Sequence, residues 1–216
     1  MIHYLMRVCL ALGVWLGGNA ALLAQDATSI LDKASATYDQ ANGISASFTM
    51  LTKTPANGKE EPMEGTVQMK GEKFVLSTPG MCTWFDGKTQ WSYVENNEEV
   101  NVSTPSGNEL KATNPVLLLN SYKKGFKAKY MGESTAFNGK TVYDIELTPR
   151  IKADIVKVEI QIDKFKSLPA TFKVIAKNGV TTTIQISQMK TGVNQPDASF
   201  VFNEADYPDA EVIDLR

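Results

Sequence analysis

The sequence predicts a mainly β (α+β) protein, a single large curved antiparallel sheet that forms an incomplete β-barrel lidded by helices. Three observations predict it. Apolar residues alternate with polar ones along most of the chain, as in Val156, Val158, Ile160 and Ile162 against Lys157, Glu159 and Gln161. Asn-Gly and Asp-Gly dipeptides punctuate these runs, at 57–58, 86–87, 138–139 and 178–179. Helical spacing is confined to two short stretches. A long sheet curls and must cover its apolar face, and two helices suffice only to plug the mouth of a half-closed barrel.

In chain order, Met1 to Arg7 carries one basic residue and Val8 to Ala24 is uncharged and mostly apolar. This pattern predicts a cleaved signal peptide over residues 1–24, with cleavage after Ala24 and a single domain over 25–216. The apolar run is just short of a membrane span and is interrupted by Gly13, Gly17, Gly18 and Asn19. Leu5-Met6-Arg7-Val8 does not fit a lipobox before Cys9, so a soluble mature protein is expected.

The first helix is expected over Asp26–Gly43. Asp26 or Thr28 caps it, and Ile30, Leu31, Ala34 and Tyr38 share one face. A second, short helix is expected from Asn114-Pro115, through the apolar block Val116–Leu119, to Gly125. Tyr143, Ile145 and Leu147 alternate, as do Phe172, Val174 and Ala176, and Val180, Thr182, Ile184 and Ile186. Each such strand has one wet and one buried face. About ten strands follow at barrel-like spacing, joined by tight primed turns.

Composition removes several chemistries. The full chain has one histidine, His3, and two cysteines, Cys9 and Cys82. Loss of residues 1–24 leaves no histidine and one cysteine, which excludes Ser-His-Asp and Cys-His catalysis, histidine-ligated zinc and an intramolecular disulfide. It also removes Arg7 and no acid, leaving 21 basic against 24 acidic residues, net −3. That balance gives no case for nucleic acid. Glycine-rich phosphate loops are absent, and no cofactor or metal is expected. Ser121-x-x-Lys124 reads as a solvated last helical turn. Ser187-x-x-Lys190 fails as a dyad because residues three apart on a strand face opposite ways. Glu60-Glu61, Glu98-Glu99 and Asp206/Asp209/Glu211 sit in polar segments, where a solvated carboxylate is a poor general acid. Cys82, within Met81-Cys82-Thr83-Trp84-Phe85, reads as a small buried hydrophobe. A non-catalytic protein is expected.

The informative residues are apolar. Met50, Met63, Met69, Met81, Met131 and Met189 remain after cleavage, and methionine adapts to variable apolar ligands. Phe48, Phe74, Trp84, Trp91 and Tyr93 add broad apolar surface. These side chains make an ordinary core, or line a ligand cavity under a thin helical cover.

The order of elements resembles the periplasmic outer-membrane lipoprotein carrier family (LolA-like proteins). The resemblance runs through Leu31-Asp32-Lys33, Ser45-Ala46-Ser47-Phe48-Thr49, Glu64-Gly65-x-Val67 and the strand around Phe74. It continues through Phe85-Asp86-Gly87-Lys88-Thr89-x-Trp91-x-Tyr93, Asn114-Pro115-Val116-Leu117-Leu118-Leu119, Phe200-Val201-Phe202 and Val212-Ile213-Asp214. It implies a periplasmic chaperone that binds lipoprotein acyl chains in an apolar cavity and shuttles them from inner to outer membrane. An inner-membrane lipoprotein-release transporter would be the donor, an outer-membrane protein the acceptor, and the carrier a monomer.

The cavity and lid residues implied are Phe48, Met50, Val67, Met69, Phe74, Leu76, Trp84, Trp91, Leu117, Leu118 and Leu119. Where relatives carry an arginine that closes the lid, Lys70-Gly71-Glu72 stands here, and Lys70 offers a point charge in place of a planar fork. Two other readings compete: a non-catalytic lipid-binding sensor or regulatory module on the same half-barrel, and a carboxylate hydrolase.

Overall fold

The computed structural model describes residues 19–56, 58–107, 109–110, 116 and 118–216. Twelve strands form one sheet: β1 Ile44–Lys53, β2 Glu60–Lys70, β3 Lys73–Thr78, β4 Met81–Phe85, β5 Gln90–Val94, β6 Glu99–Ser103, β7 Phe126–Thr135, β8 Thr141–Pro149, β9 Ile155–Asp163, β10 Pro169–Ala176, β11 Thr181–Thr191 and β12 Glu211–Asp214. The spatial order is β12-β6-β5-β4-β3-β2-β1-β11-β10-β9-β8-β7. Every pairing is antiparallel except β12 on β6. The edges β7 and β12 do not pair, so the curved sheet stays open. The alternation legible in sequence reappears as burial, with β7 strictly half-buried then exposed along its whole length.

The hairpins fall where Asn-Gly and Asp-Gly dipeptides predict, but they are not the expected primed turns. At 86–87, 138–139 and 178–179 only the glycine takes a positive φ. The preceding side chain instead accepts from the backbone two residues on: Asp86 from Lys88, Asn138 from Lys140 and Asn178 from Val180. A short polar side chain that caps its own turn favours this geometry over one with two left-handed residues. Asn57 lies outside the described residues.

Two α-helices whose bounds lie within the described residues flank the sheet. α1 runs Asn19–Gln40 and α2 runs Leu118–Gly125. α1 starts before the expected Asp26, because Ala20 to Ala24 continues the helix with strong helix formers. The expected cleavage point after Ala24 therefore falls within α1. The expected start of the second helix, Asn114-Pro115, lies outside the described residues. Ala27, Leu31, Ala34, Tyr38 and Ala41 form the buried stripe of α1 and its exit, with Ile30 half-buried beside it. The small alanines let the helix approach the sheet closely. Gly43 ends the segment at φ +108°, where a Cβ would collide with the Val193 carbonyl oxygen. Among the described residues, no helix is long and apolar enough to cross a membrane.

A second finding revises the strand-by-strand reading. β11 carries a bulge at Gln188, whose φ is +48°. Ser187 pairs with Ser47 and Lys190 with Ser45, so both face the same side, against the simple parity expectation. The Ser187 hydroxyl donates to the Ser47 carbonyl.

Candidate functional site

The register assigns each apolar side chain to a face. Ile44 pairs with Met69 and Met69 with Phe74, which pairs with Phe85. The neighbouring row is Ala46, Val67, Leu76 and Thr83. Phe48 pairs with Ile186 and Met50 with Ile184, and the row continues through Phe172, Ile160 and Ile145. Most of these residues form one cluster with the buried stripe of α1 and with Val116, Leu119 and Tyr122. An apolar concave face thus runs from β3 through β1 to β8, with the helices over it. Met69, Phe74 and Leu119 lie at its centre, each 0–1% exposed. Gly65 stands opposite Phe48, and the Phe48 ring occupies the space a Cβ there would need.

Six of the eleven candidate residues share this face, Phe48, Met50, Val67, Met69, Phe74 and Leu76, and Leu119 of α2 packs onto it. Leu118 opens α2, and Leu117 lies outside the described residues. Trp84 and Trp91 depart from the group. They pair with each other and sit on the opposite, outer face, clustered with Val75, Cys82, Tyr93, Val100 and Val102. The segment after β11 crosses this cluster, so that Phe202 and Tyr207 meet the Trp84 ring edge-on at 5.4 and 5.6 Å. The sheet changes polarity between β3 and β5. Beyond β4 the apolar side is the outer one, while Gln90, Ser92, Asn101 and Ser103 occupy the concave side. Burial in the outer cluster raises the Cys82 thiol above its usual value.

The helices are held by polar contacts that sequence reading missed. The Tyr122 hydroxyl on α2 donates to Asp32 Oδ1 at 2.9 Å and to the Thr28 carbonyl at 3.2 Å, both on α1. Lys123 reaches the other Asp32 oxygen at 2.8 Å. At the far end of α1, the Tyr38 hydroxyl donates to the Gly71 carbonyl at 3.0 Å. Burial, followed by the charges of Asp39 and Glu72, pushes Tyr38 up to about 12. Burial and the Asp32 carboxylate raise Tyr122 as well. Both phenols are protonated donors at neutral pH. The residue offered for the arginine latch acts elsewhere: Lys70 donates to the Gln195 carbonyl and, with Lys73, clamps Asp197 at 2.9 and 2.7 Å. It fastens the C-terminal segment to the sheet.

Beneath the helices Met69, Phe74 and Leu119 are buried in one apolar cluster. Two cavities stand out among the described residues. One, about 430 Å³, has a mixed lining and sits by Gln90, Ser103, Pro105, Glu109, Leu215 and Arg216. The other, about 180 Å³, is a mostly apolar slot under α1 on the concave side, between Ile30 and Lys33 of the helix and Tyr143 and Ile162 of the sheet, with Lys164 of the turn after β9 also lining it. The slot is smaller than the roughly 300–1,000 Å³ of a typical small-molecule pocket.

The model of the family described as outer membrane lipoprotein carrier protein LolA matches residues 18–179. The chain belongs to this LolA family. The matched span covers α1, α2 and β1 to β10. No match to the chain is found among curated proteins. The structure is similar to that of an uncharacterized conserved protein from Thermus thermophilus, with 16% identity over 88% of this chain and 99% of that one and a TM-score of 0.61. A LolA superfamily protein from Nitrosomonas europaea gives 14% identity, coverage of 82% and 97%, and a TM-score of 0.44. The Mycobacterium tuberculosis lipoprotein LppX gives 11%, coverage of 79% and 98%, and 0.46. At these identities the Thermus likeness establishes the fold alone. The open, mostly-β sheet with few helices is a fold shared with the Thermus structure.

Proposed function

We propose that this LolA-family protein is a non-catalytic periplasmic carrier, which takes the acyl chains of lipoproteins onto its concave face and moves them from inner to outer membrane. A release transporter in the inner membrane would load it, and an outer-membrane acceptor would unload it. The observation that carries the reading is the apolar concave face under two helices that are fastened by a few polar contacts. Exposing an acyl chain to water costs about 0.8 kcal/mol per methylene, so a protein that moves such chains needs apolar surface in this amount. It must also keep that surface from water when empty, and the helices packed over Met69 and Phe74 do so. Loading then requires α2 and α1 to part, with Met50, Met69 and Met189 adjusting around the chain. Release is favoured because the helices and core regain their own contacts.

The test is a mixture of the protein with a detergent-released triacylated lipoprotein, separated by size exclusion. A one-to-one soluble complex supports the reading, and so does its loss in Leu119→Asp. Absence of any complex, or full binding by Leu119→Asp, removes the concave face as the site.

A further inference from the structure

We propose that the tips of the β7–β8 and β9–β10 hairpins form a docking site for an anionic phospholipid surface. The two tips lie side by side at one end of the sheet, tied by the Lys164 amide donating to the Thr141 carbonyl and by Lys140 against Asp163 at 3.4 Å. Each carries a phenylalanine directed away from the core: Phe165 is 81% exposed and Phe137 48%.

Phe165 is not on a loose loop. Asp163, 5% exposed, accepts the amides of Phe165 and Lys166 at 2.9 Å each, and its carbonyl accepts Ser167. Ser167 itself sits at φ +53°. Ala136, Val142 and Ala170 pack into a small buried cluster beneath the tips. Two exposed aromatic rings on tips tied to each other give this end of the sheet an apolar surface of the kind a partner covers.

The chemistry around it favours a membrane over a protein groove. Phe165 stands between Lys164 and Lys166, and Lys140 and Lys33 lie nearby. Glu133, which pairs with Lys164 at 2.7 Å, and the buried Asp163 are the acids among these groups. The tip is therefore cationic on a chain of net charge −2. Lysine stems can lie along an apolar surface while their ammonium groups reach anionic headgroups. A ring inserted between them matches the interfacial pattern of aromatic anchor plus basic flank. The apolar slot between α1 and the sheet is an independent second observation: Lys164 and Ser167 of this same hairpin form part of its lining. A lipid surface at the tip would thus face an apolar entrance. The docking contact is separable from the carrier reading, since the tips can meet a lipid surface whether or not the concave face takes an acyl chain.

The experiment is co-sedimentation of the full chain with vesicles of phosphatidylglycerol mixed with phosphatidylcholine, against phosphatidylcholine alone. Binding that needs the anionic lipid and weakens with salt is expected, with a loss of about tenfold in Phe165→Ser and a further loss in Phe137→Ser. Emission of Phe165→Trp should shift to the blue on the vesicles and be quenched by brominated acyl chains. No sedimentation of the wild type, unchanged sedimentation of Phe165→Ser, or a Phe165-dependent dimer in place of vesicle binding each overturns the proposal. Binding of a soluble fluorescent fatty acid, measured without vesicles, should be equal in wild type and Phe165→Ser. Its absence in both would count against the carrier reading alone.

Discussion

Removing one hydroxyl from the contact between the two helices should make the protein bind acyl chains more tightly. The substitution is Tyr122→Phe. The ring is 4% exposed and keeps its packing, while the bonds to Asp32 at 2.9 Å and Thr28 at 3.2 Å disappear. A hydrogen bond to a charged group is worth about 1.5–3 kcal/mol. Asp32 retains Lys123 at 2.8 Å and its side chain is 44% exposed, so water partly replaces the lost donor. The lower end, about 1.5 kcal/mol, applies, which is roughly tenfold in an equilibrium. If ligand enters only when the helices part, a tenfold rise in the parted fraction lowers the apparent Kd by up to about tenfold. Titration with a fluorescent long-chain fatty acid reads this, and a thermal melt of the empty protein should show a Tm lowered by about 3–6 °C. Lys123→Ala, which removes an exposed pair, should change either quantity little. A lowered Tm with unchanged or weaker acyl affinity would refute the idea that the helices gate the face.

Three other outcomes follow from the geometry. Trp84→Ala should destabilise the protein by about 3–5 kcal/mol in urea while leaving acyl affinity intact, because its ring packs on Phe202 and Tyr207 on the outer face. Gly65→Ala would place a methyl group against the Phe48 ring and the Ser77 carbonyl oxygen, 2.7 Å away, so it should cost about 1–3 kcal/mol and alter acyl affinity. Stability should respond to pH at both extremes. Tyr38 titrates near 12 folded against 10 when exposed, so its contribution is complete below pH 10 and lost as pH rises through 12. Asp197, held near 2 by Lys73 and Lys70, contributes above pH 3.8 and loses that contribution as pH falls through 2, loosening the C-terminal segment first in hydrogen exchange.

How far these features were legible differs by residue. The period of Val156–Ile162 or Tyr143–Leu147 could only be strand, and the dipeptides at 86–87, 138–139 and 178–179 marked hairpins correctly. Which face each strand turns inward was less legible. Val75, Trp84 and Trp91 look as suited to a cavity as Phe74 and Phe85 do, because β3 and β4 carry apolar residues on both sides. Only the register, which puts Trp84 beside Trp91 under Phe202, separates them. The bulge at Gln188 is invisible to any alternation rule and reverses the parity of Ser187 and Lys190. The Asp32–Tyr122 contact joins residues 90 apart, and Lys70 meets Asp197 across 127. Lysine and aspartate at such separations carry no pairing signal in one sequence. Phe165 between two lysines was visible in the chain, but its exposure depends on the Asp163 turn.

The most direct measurement is photo-crosslinking with a long-chain acyl probe bearing a terminal diazirine, followed by peptide mapping. The account predicts label on Met69, Phe74 and Leu119 of the concave face, with Trp84 and Trp91 unlabelled. Label concentrated at Trp84 and Trp91, or none on the concave face while the probe is bound, would contradict it.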